Sequence, residues 1–286
     1  MKKVLLTGAS GMIGRNILPY LSERLTVSAP TRCELDLKDE SKVDSYVRQG
    51  KFDIIINCAN PNPAKSHISD TEKNFLSDSL RTYYNLQKVS SHCERFLYLG
   101  SGAEYDKRFD IVNIKEEEIG RSIPIDDYGF AKYIMNNSTA KSINIFNLRI
   151  FGCYGPYDHE SKFITHAIRC CLEKKPITIR QDCYFDYMHV SDLARIIHLF
   201  CTYPLKFNNY NVCSGTRISL SDIACKVRDA MNSSSDIVIL RNGFNKEYTA
   251  CNNRLLSELG SFQFTSIDEG IKKQINWEFA NEKARC

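Results

Sequence analysis

No apolar run in the 286-residue chain approaches the roughly 18 residues that a membrane-spanning helix needs. A secretory leader is not expected either. Met1-Lys2-Lys3 is followed by only Val4-Leu5-Leu6 before Thr7-Gly8, too short for a leader's apolar stretch and better read as a first β-strand. Lysine and arginine form no block long enough to follow a nucleic-acid backbone, and the formal charge is only +4, so nucleic acid is not an expected partner. The 12 cysteines contain no C-x-x-C and no paired ligand spacing. Cys170 and Cys171 are adjacent, and helix neighbours point in different directions, so no metal is expected. Thiols without a leader imply a reducing, cytoplasmic setting. Repeats, linkers and low-complexity tracts are also missing.

What is present is alternation. Val4 to Thr7 reads as a strand. Met12 to Leu25 reads as a helix with Ile13, Ile17, Leu18 and Leu21 on one face. Leu25 to Ala29 (strand), Glu40 to Val47 (helix), Phe52 to Cys58 (strand) and Asp70 to His92 (helix) follow. Arg95 to Leu99 (strand), Asp127 to Ala140 (helix) and Ile143 to Ile150 (strand) complete this half. Such alternation calls for an α/β fold, a doubly wound parallel sheet of Rossmann type covered on both faces. After Gly155-Pro156 the pattern is less regular. Helices are expected over Phe163 to Glu173, Ser191 to Phe200, Leu220 to Met231, near Arg254 to Leu259, and from Ile267. Extended segments are expected at Ile177 to Ile179, Tyr187 to Val190, Tyr210 to Cys213 and Ile237 to Leu240. We expect a dinucleotide-binding domain over residues 1–152 with a return segment near 184–213. A smaller C-terminal α/β substrate lobe over 153–286 would be partly interleaved with it.

Thr7-Gly8-Ala9-Ser10-Gly11-Met12-Ile13-Gly14 lies between the first strand and the first helix. Gly8 permits a tight turn, Gly11 lets a pyrophosphate approach the backbone, and Gly14 lets helix and strand pack closely. The helix start offers free N–H groups and a positive dipole end, which assigns Gly8, Ser10, Gly11, Met12, Ile13 and Gly14 to a cofactor. The second strand ends Ala29-Pro30-Thr31-Arg32, with no acid to hold a ribose 2′-hydroxyl. Arg32 either clamps a 2′-phosphate or is a solvated surface arginine. NADP(H) is therefore the preferred cofactor, with NAD(H) possible.

Tyr128-Gly129-Phe130-Ala131-Lys132 opens a helix and sets Tyr128 and Lys132 one turn apart on one face. A free phenol, with a pKa of about 10, is a poor acid–base group at neutral pH, and a neighbouring ammonium lowers that value. Leu99-Gly100-Ser101-Gly102-Ala103-Glu104-Tyr105 follows a strand, and the Ser101 hydroxyl is placed to meet a substrate oxygen beside the tyrosine.

The G-x-x-G-x-x-G spacing, with Thr7 before it and Ser101, Tyr128 and Lys132 in order behind it, resembles the extended short-chain dehydrogenase/reductase superfamily, the NAD(P)-dependent epimerase/dehydratases. Arg149 to Pro156 and Phe185 to Ala194 are similar to two further stretches of that family, so the resemblance runs from Lys3 to about Ala194. Thr31 to Leu37 is similar to the matching segment of the GDP-fucose synthases, which use NADPH. The resemblance implies that Asp36 and Leu37 flank the adenine, and that Cys58 and Ala59, after Asn57, line the cofactor near its ribose. It also implies that Ser101 and Tyr128 bind the carbonyl oxygen and Tyr128 supplies the proton. Lys132 would stabilise the phenolate and hold the nicotinamide ribose. The implied substrate is a sugar nucleotide, and the implied assembly is a homodimer paired through the helices near Asp70 to His92 and Asp127 to Ala140.

Departures from the family pattern narrow the chemistry. Dehydratases carry Asp and Glu directly after the catalytic hydroxyl, where this chain has Gly102 and Ala103. Double epimerisation in GDP-fucose synthases uses a Cys and a His, which align with Ala103 and Lys162. Gly152 replaces an Asn, Phe185 an Arg and Ser79 an Asn. Lys162 and Arg180 are candidates for the missing grip on a diphosphate, unless they are ordinary solvated cations. Gly152, Ser101 and Tyr128 complete the expected substrate contacts. Tyr184, Phe185 and Tyr187 either stack on a base or pack a core, and His189 reads as structural. Three readings stay open. The first is a 4-ketosugar reductase using NADP(H). The second is a redox-neutral C4-epimerase with tightly bound NAD. The third, an inactive cofactor-binding regulator, is opposed by the intact Ser101, Tyr128 and Lys132.

Overall fold

Successive side chains of a strand face opposite ways, and the apolar run of the first strand uses both directions. Val4 and Leu6 enter one core with Ile17 and Leu21, while Leu5 enters another with Val43, Val47 and Tyr83. The first strand is therefore covered on both faces. The computed structural model describes residues 1–60, 74–139 and 142–283. The N-terminal half comprises β1 (Lys3–Thr7), α1 (Met12–Ser22), β2 (Thr26–Ser28), α2 (Glu40–Gly50), β3 (Ile54–Asn57), α3 (Phe75–Val89) and β4 (Arg95–Ser101). A short 3-10 turn (Gly102–Tyr105), β5 (Ile111–Ile114), α4 (Asp127–Thr139) and β6 (Ile145–Ile150) follow. Of the expected helix over 70–92, residues 70–73 lie outside the described residues, as does Ala140 at the end of the next expected helix.

The second half comprises β7 (Gly152–Tyr154), α5 (Phe163–Leu172), β8 (Ile177–Ile179), β9 (Tyr184–His189), α6 (Val190–Thr202) and β10 (Asn209–Val212). Then come β11 (Arg217–Ser219), α7 (Leu220–Ala230), β12 (Ile237–Ile239), β13 (Tyr248–Ala250), α8 (Asn253–Leu259) and α9 (Ile267–Lys283). Six strands form a parallel sheet in the order β10-β6-β4-β3-β1-β2. Winding reverses between β1 and β3, which opens a crevice at their C-terminal ends, the place where such sheets bind ligands. A second sheet runs β11-β9-β13-β5 with β7 beside β9, and β8 pairs with β12. Between these sheets the chain crosses repeatedly. β10 returns to the edge of the main sheet beside β6, and α6 packs on α1. None of the described helices is long and apolar enough to cross a membrane.

Candidate active site

Steric contacts in the β1–α1 turn define what it can hold. Gly8 has φ +74°, and a Cβ there would stand 2.5 Å from the Ala59 backbone nitrogen. A Cβ on Gly14 would stand 2.3 Å from the Gly8 carbonyl oxygen. These two glycines lock strand, turn and helix together. Gly11 differs, because a Cβ on it would meet only the Gly8 oxygen at 3.4 Å and would otherwise enter open space. Gly11 is also the N-cap of α1. No side chain caps this helix and no acid lies in its first turn, so the unpaired N–H groups of the first turn, around Met12 and Ile13, remain available to an anion. Ser10 is exposed on the same turn. Asn57 closes the floor: its Oδ1 accepts from the Thr7 hydroxyl at 2.7 Å and from the Ala59 N–H at 3.0 Å. Cys58 continues β3 through a backbone bond from its N–H to the Thr7 oxygen at 3.1 Å.

Between β2 and α2 the chain loops past the crevice. Arg32 is exposed there. Asp36 accepts from the Lys38 N–H at 3.0 Å, and the Leu37 carbonyl accepts from the Asn85 side chain at 2.9 Å, which ties this loop to α3.

Ser101 ends β4. Its Oγ accepts from the Ala103 N–H at 3.1 Å, and its N–H donates to Glu104 at 3.0 Å. Tyr128 and Lys132 lie on α4, whose start is fixed by Asp126 accepting the Gly129 N–H at 2.9 Å. The structure brings Ser101, Tyr128 and Lys132 together: the Ser101 hydroxyl is near enough to the Tyr128 phenol to lower its pKa. The Lys132 Nζ lies 6.0 Å from the phenol ring centre. Lys132 is buried, and its Nζ donates to the Leu99 carbonyl at 2.7 Å. Burial pulls its pKa down to about 8, opposed by the charge of Glu104 and by the Cys58 thiol. Burial likewise pushes the Cys58 thiol up to about 12, with Lys132 opposing it.

The phenol behaves differently from the sequence expectation. Burial raises the Tyr128 pKa, the nearby Ser101 hydroxyl lowers it, and the negative charges of Glu104 and Asp126 raise it further. The Lys132 ammonium is instead bonded to the Leu99 carbonyl. Tyr128 is therefore held as a protonated donor.

Sequence reasoning missed the base of this group. The side chains of Arg149 and Glu104 are fully buried, with Nε to Oε2 at 2.6 Å. Asn147 donates to Glu104, and Asn136 accepts from Arg149 at 2.6 Å. This network anchors the residue that holds the Ser101 N–H. Burial raises the Glu104 pKa against the pull of Arg149. The available signal was a pair of polar residues, Asn147 and Arg149, alternating with apolar ones in the buried strand β6. Lys107 was also missed, and its Nζ lies 5.9 Å from the Tyr128 ring centre.

The remaining expected contacts are placed less closely. Lys162 is the exposed N-cap of α5 and interacts electrostatically with Asp158 and Cys153. Burial pushes Asp158 up to about 7, opposed by Lys162. Arg180 is exposed just beyond β8. Gly152 has a packing reason: a Cβ there would stand 2.5 Å from the Asp186 carbonyl of β9. Tyr184 stacks on Phe244, with ring centres 4.9 Å apart, and Phe185 stacks on Tyr187 at 5.5 Å. His189 caps α6 through the Ser191 N–H. Ser79 is buried on α3. Among the described residues no cluster of His, Cys, Asp or Glu could hold a metal.

The open side of Gly11, the uncapped α1 start and the hydroxyl–ammonium group all stand at the C-terminal edge of one parallel sheet. These residues fit a nicotinamide dinucleotide. Residues 4–213 match the NAD dependent epimerase/dehydratase family. The chain belongs to that family. This epimerase/dehydratase is an NAD(P)-dependent enzyme. It is 24% identical to GDP-L-colitose synthase of Yersinia pseudotuberculosis, over 98% of this chain and 99% of that one. Its structure is similar to UDP-glucose 4-epimerase of Thermotoga maritima, with a TM-score of 0.84 and 17% identity, covering 98% of this chain and 99% of that one. It is also similar to GDP-mannoheptose C4 reductase from Campylobacter jejuni with NADP bound, with a TM-score of 0.79 and 18% identity, covering 97% and 98%.

Proposed function

We propose that this family member reduces a nucleotide-linked 4-keto sugar at C4 using NADPH, with Ser101, Tyr128 and Lys132 as its working groups. The observation that carries the reading is the grouping of Ser101, the Tyr128 phenol and Lys132, with no carboxylate on the two residues that follow the serine. Gly102 and Ala103 offer neither acid nor base, which removes elimination of water and leaves carbonyl chemistry. When bound, the dinucleotide supplies the hydride. Gly8, Ser10, Gly11, Met12, Ile13 and Gly14 would hold its pyrophosphate, Arg32 the 2′-phosphate, and Asp36, Leu37, Cys58 and Ala59 the adenosine and ribose. Ser101 and Tyr128 hydrogen-bond the substrate oxygen, and the proton on the Tyr128 Oη passes to it as negative charge develops. To stabilise the phenolate left behind, the Lys132 ammonium, 6.0 Å from the phenol ring centre, would turn from the Leu99 carbonyl toward it. The second lobe, with Gly152, Lys162 and Arg180, would receive the nucleotide end of the substrate.

Nucleotide-sugar names among the relatives, such as the colitose synthase and an ADP-L-glycero-D-manno-heptose-6-epimerase of Pseudomonas paraeruginosa, support this substrate class. They equally support a redox-neutral C4-epimerase, because the proton on Tyr128 can return by the same path. The deciding experiment feeds a panel of nucleotide 4-keto sugars and follows absorbance of the reduced nicotinamide, with Tyr128→Phe as control. Net consumption of NADPH that is lost in the variant supports reduction. Interconversion of C4 isomers with no added cofactor establishes the epimerase instead.

A further inference from the structure

A third hydroxyl reaches Ser101 from the other lobe. Tyr248 opens β13, where it lies in register with Phe185 of β9 and Ile111 of β5. Strand alternation turns Glu247 and Thr249 to the opposite face, where they bond to one another at 2.7 Å. The Tyr248 ring is wedged between Phe151, at 4.9 Å between ring centres, and Phe185, at 5.6 Å. Its phenol occupies the space that a side chain at position 102 would take. A Cβ on Gly102 would stand 2.5 Å from the Tyr248 oxygen. The Ser101 hydroxyl is near enough to this phenol, as to that of Tyr128, to lower the pKa of both.

Counting donors and acceptors at Ser101 gives this arrangement a purpose. A serine hydroxyl has two lone pairs and one hydrogen. The Ala103 N–H already takes one lone pair. We propose that Tyr248 is a positioning residue: its phenol donates to the remaining lone pair of Ser101 and so turns the serine's one hydrogen toward the substrate oxygen that Tyr128 protonates. Burial keeps the Tyr248 phenol protonated, against the lowering effect of the nearby Ser101 hydroxyl. The inference rests on the reading of the site as one that binds a carbonyl or hydroxyl oxygen.

The test is a double-mutant cycle on the full chain with NADPH and the keto sugar found in the panel. Tyr248→Phe keeps the ring packing and removes only the donor. It should lower kcat roughly 3–10-fold, the effect of one hydrogen bond, with KM and NADPH affinity unchanged. In the Ser101→Ala background the same substitution should change kcat less than about twofold, because its target is gone. Multiplicative losses, or an unchanged kcat in the single variant, overturn the proposal. A parallel urea-denaturation cycle with the same variants reads the bond without any substrate, and additivity there overturns it too. Should the wild-type enzyme convert no sugar nucleotide in either direction, the reading of the site and this role fall together. Additive denaturation alone removes only the bond between Tyr248 and Ser101.

Discussion

The three glycines of the β1–α1 turn can be separated experimentally, because their surroundings differ. Gly11→Ala places a methyl group in open space, with its nearest neighbour at 3.4 Å and φ −77°, ψ 169°, values that any residue adopts. The loss to the fold is that of a poorer N-cap, at most about 1 kcal/mol, or roughly 2–4 °C in Tm for a chain of this size. The same methyl group stands where a pyrophosphate would approach. Overpacking of about 1–3 kcal/mol converts to a roughly 5- to 150-fold weaker Kd. Gly14→Ala reverses the pattern, because its Cβ meets the Gly8 carbonyl oxygen at 2.3 Å and the Ala9 Cα at 2.6 Å. Backbone must move there, at about 1–3 kcal/mol or more, which lowers Tm by roughly 2–12 °C. Thermal unfolding and titration of NADPH fluorescence measure the two effects on the same samples. If Gly11→Ala binds NADPH like the wild type, or loses as much stability as Gly14→Ala, the turn is not a phosphate cradle and the reasoning fails.

Arg32→Glu should weaken NADPH roughly 10- to 150-fold, the loss of a charge-assisted contact, and leave NADH almost unchanged; parallel titrations decide whether Arg32 reads the 2′-phosphate. Lys132 loses its proton near pH 8, so kcat/KM should be level at neutral pH and fall as the pH rises through that value. Lys132→Met should be slow and lack this limb, and a wild-type profile that rises through pH 8 would exclude the ammonium as the working form. Arg149→Met leaves Glu104 buried without a cation and should lower stability by about 3–5 kcal/mol in urea denaturation. Folding then favours the neutral carboxyl, so the loss should be greater at alkaline than at mildly acidic pH. A loss independent of pH would place the effect in packing instead.

The parallel sheet was legible because its central strands β1, β3 and β4 hold short apolar runs that alternate in the sequence with amphipathic helices. Leu25 to Ala29 was read two residues longer than β2, which is Thr26–Ser28. Its ladder with β1 spans only three pairs, Lys3, Val4 and Leu5 opposite Thr26, Val27 and Ser28. Of the smaller sheet only β9, Tyr184–His189, was legible in part, as the extended stretch Tyr187 to Val190. β11 and β13 have three residues each, and β5 has four. Pairing partners such as Ile111 and Tyr248 are far apart in the sequence. No local period survives in pieces of that size, so only the tertiary pairing defines them. The same limit hid Tyr248. Spacing on one helix reveals Tyr128 and Lys132, and a strand end reveals Ser101, but nothing in the neighbourhood of Tyr248 announces which glycine it fills. Arg149 and Glu104 were hidden for a related reason, since each is explicable only by the other.

The return of β10 to the edge of the main sheet sets a limit on how the molecule can be divided. A fragment ending at residue 152 would keep the glycine turn, Ser101, Tyr128 and Lys132. It would also bare the hydrogen-bonding edge of β6 along Asn147 to Ile150 and uncover the face of α1 that α6 shields. An open, apolar strand edge invites pairing with other chains. Such a half should aggregate rather than bind cofactor, and swapping the second lobe among relatives to change substrate would need grafts that carry β10 and α6 along with the loops they serve.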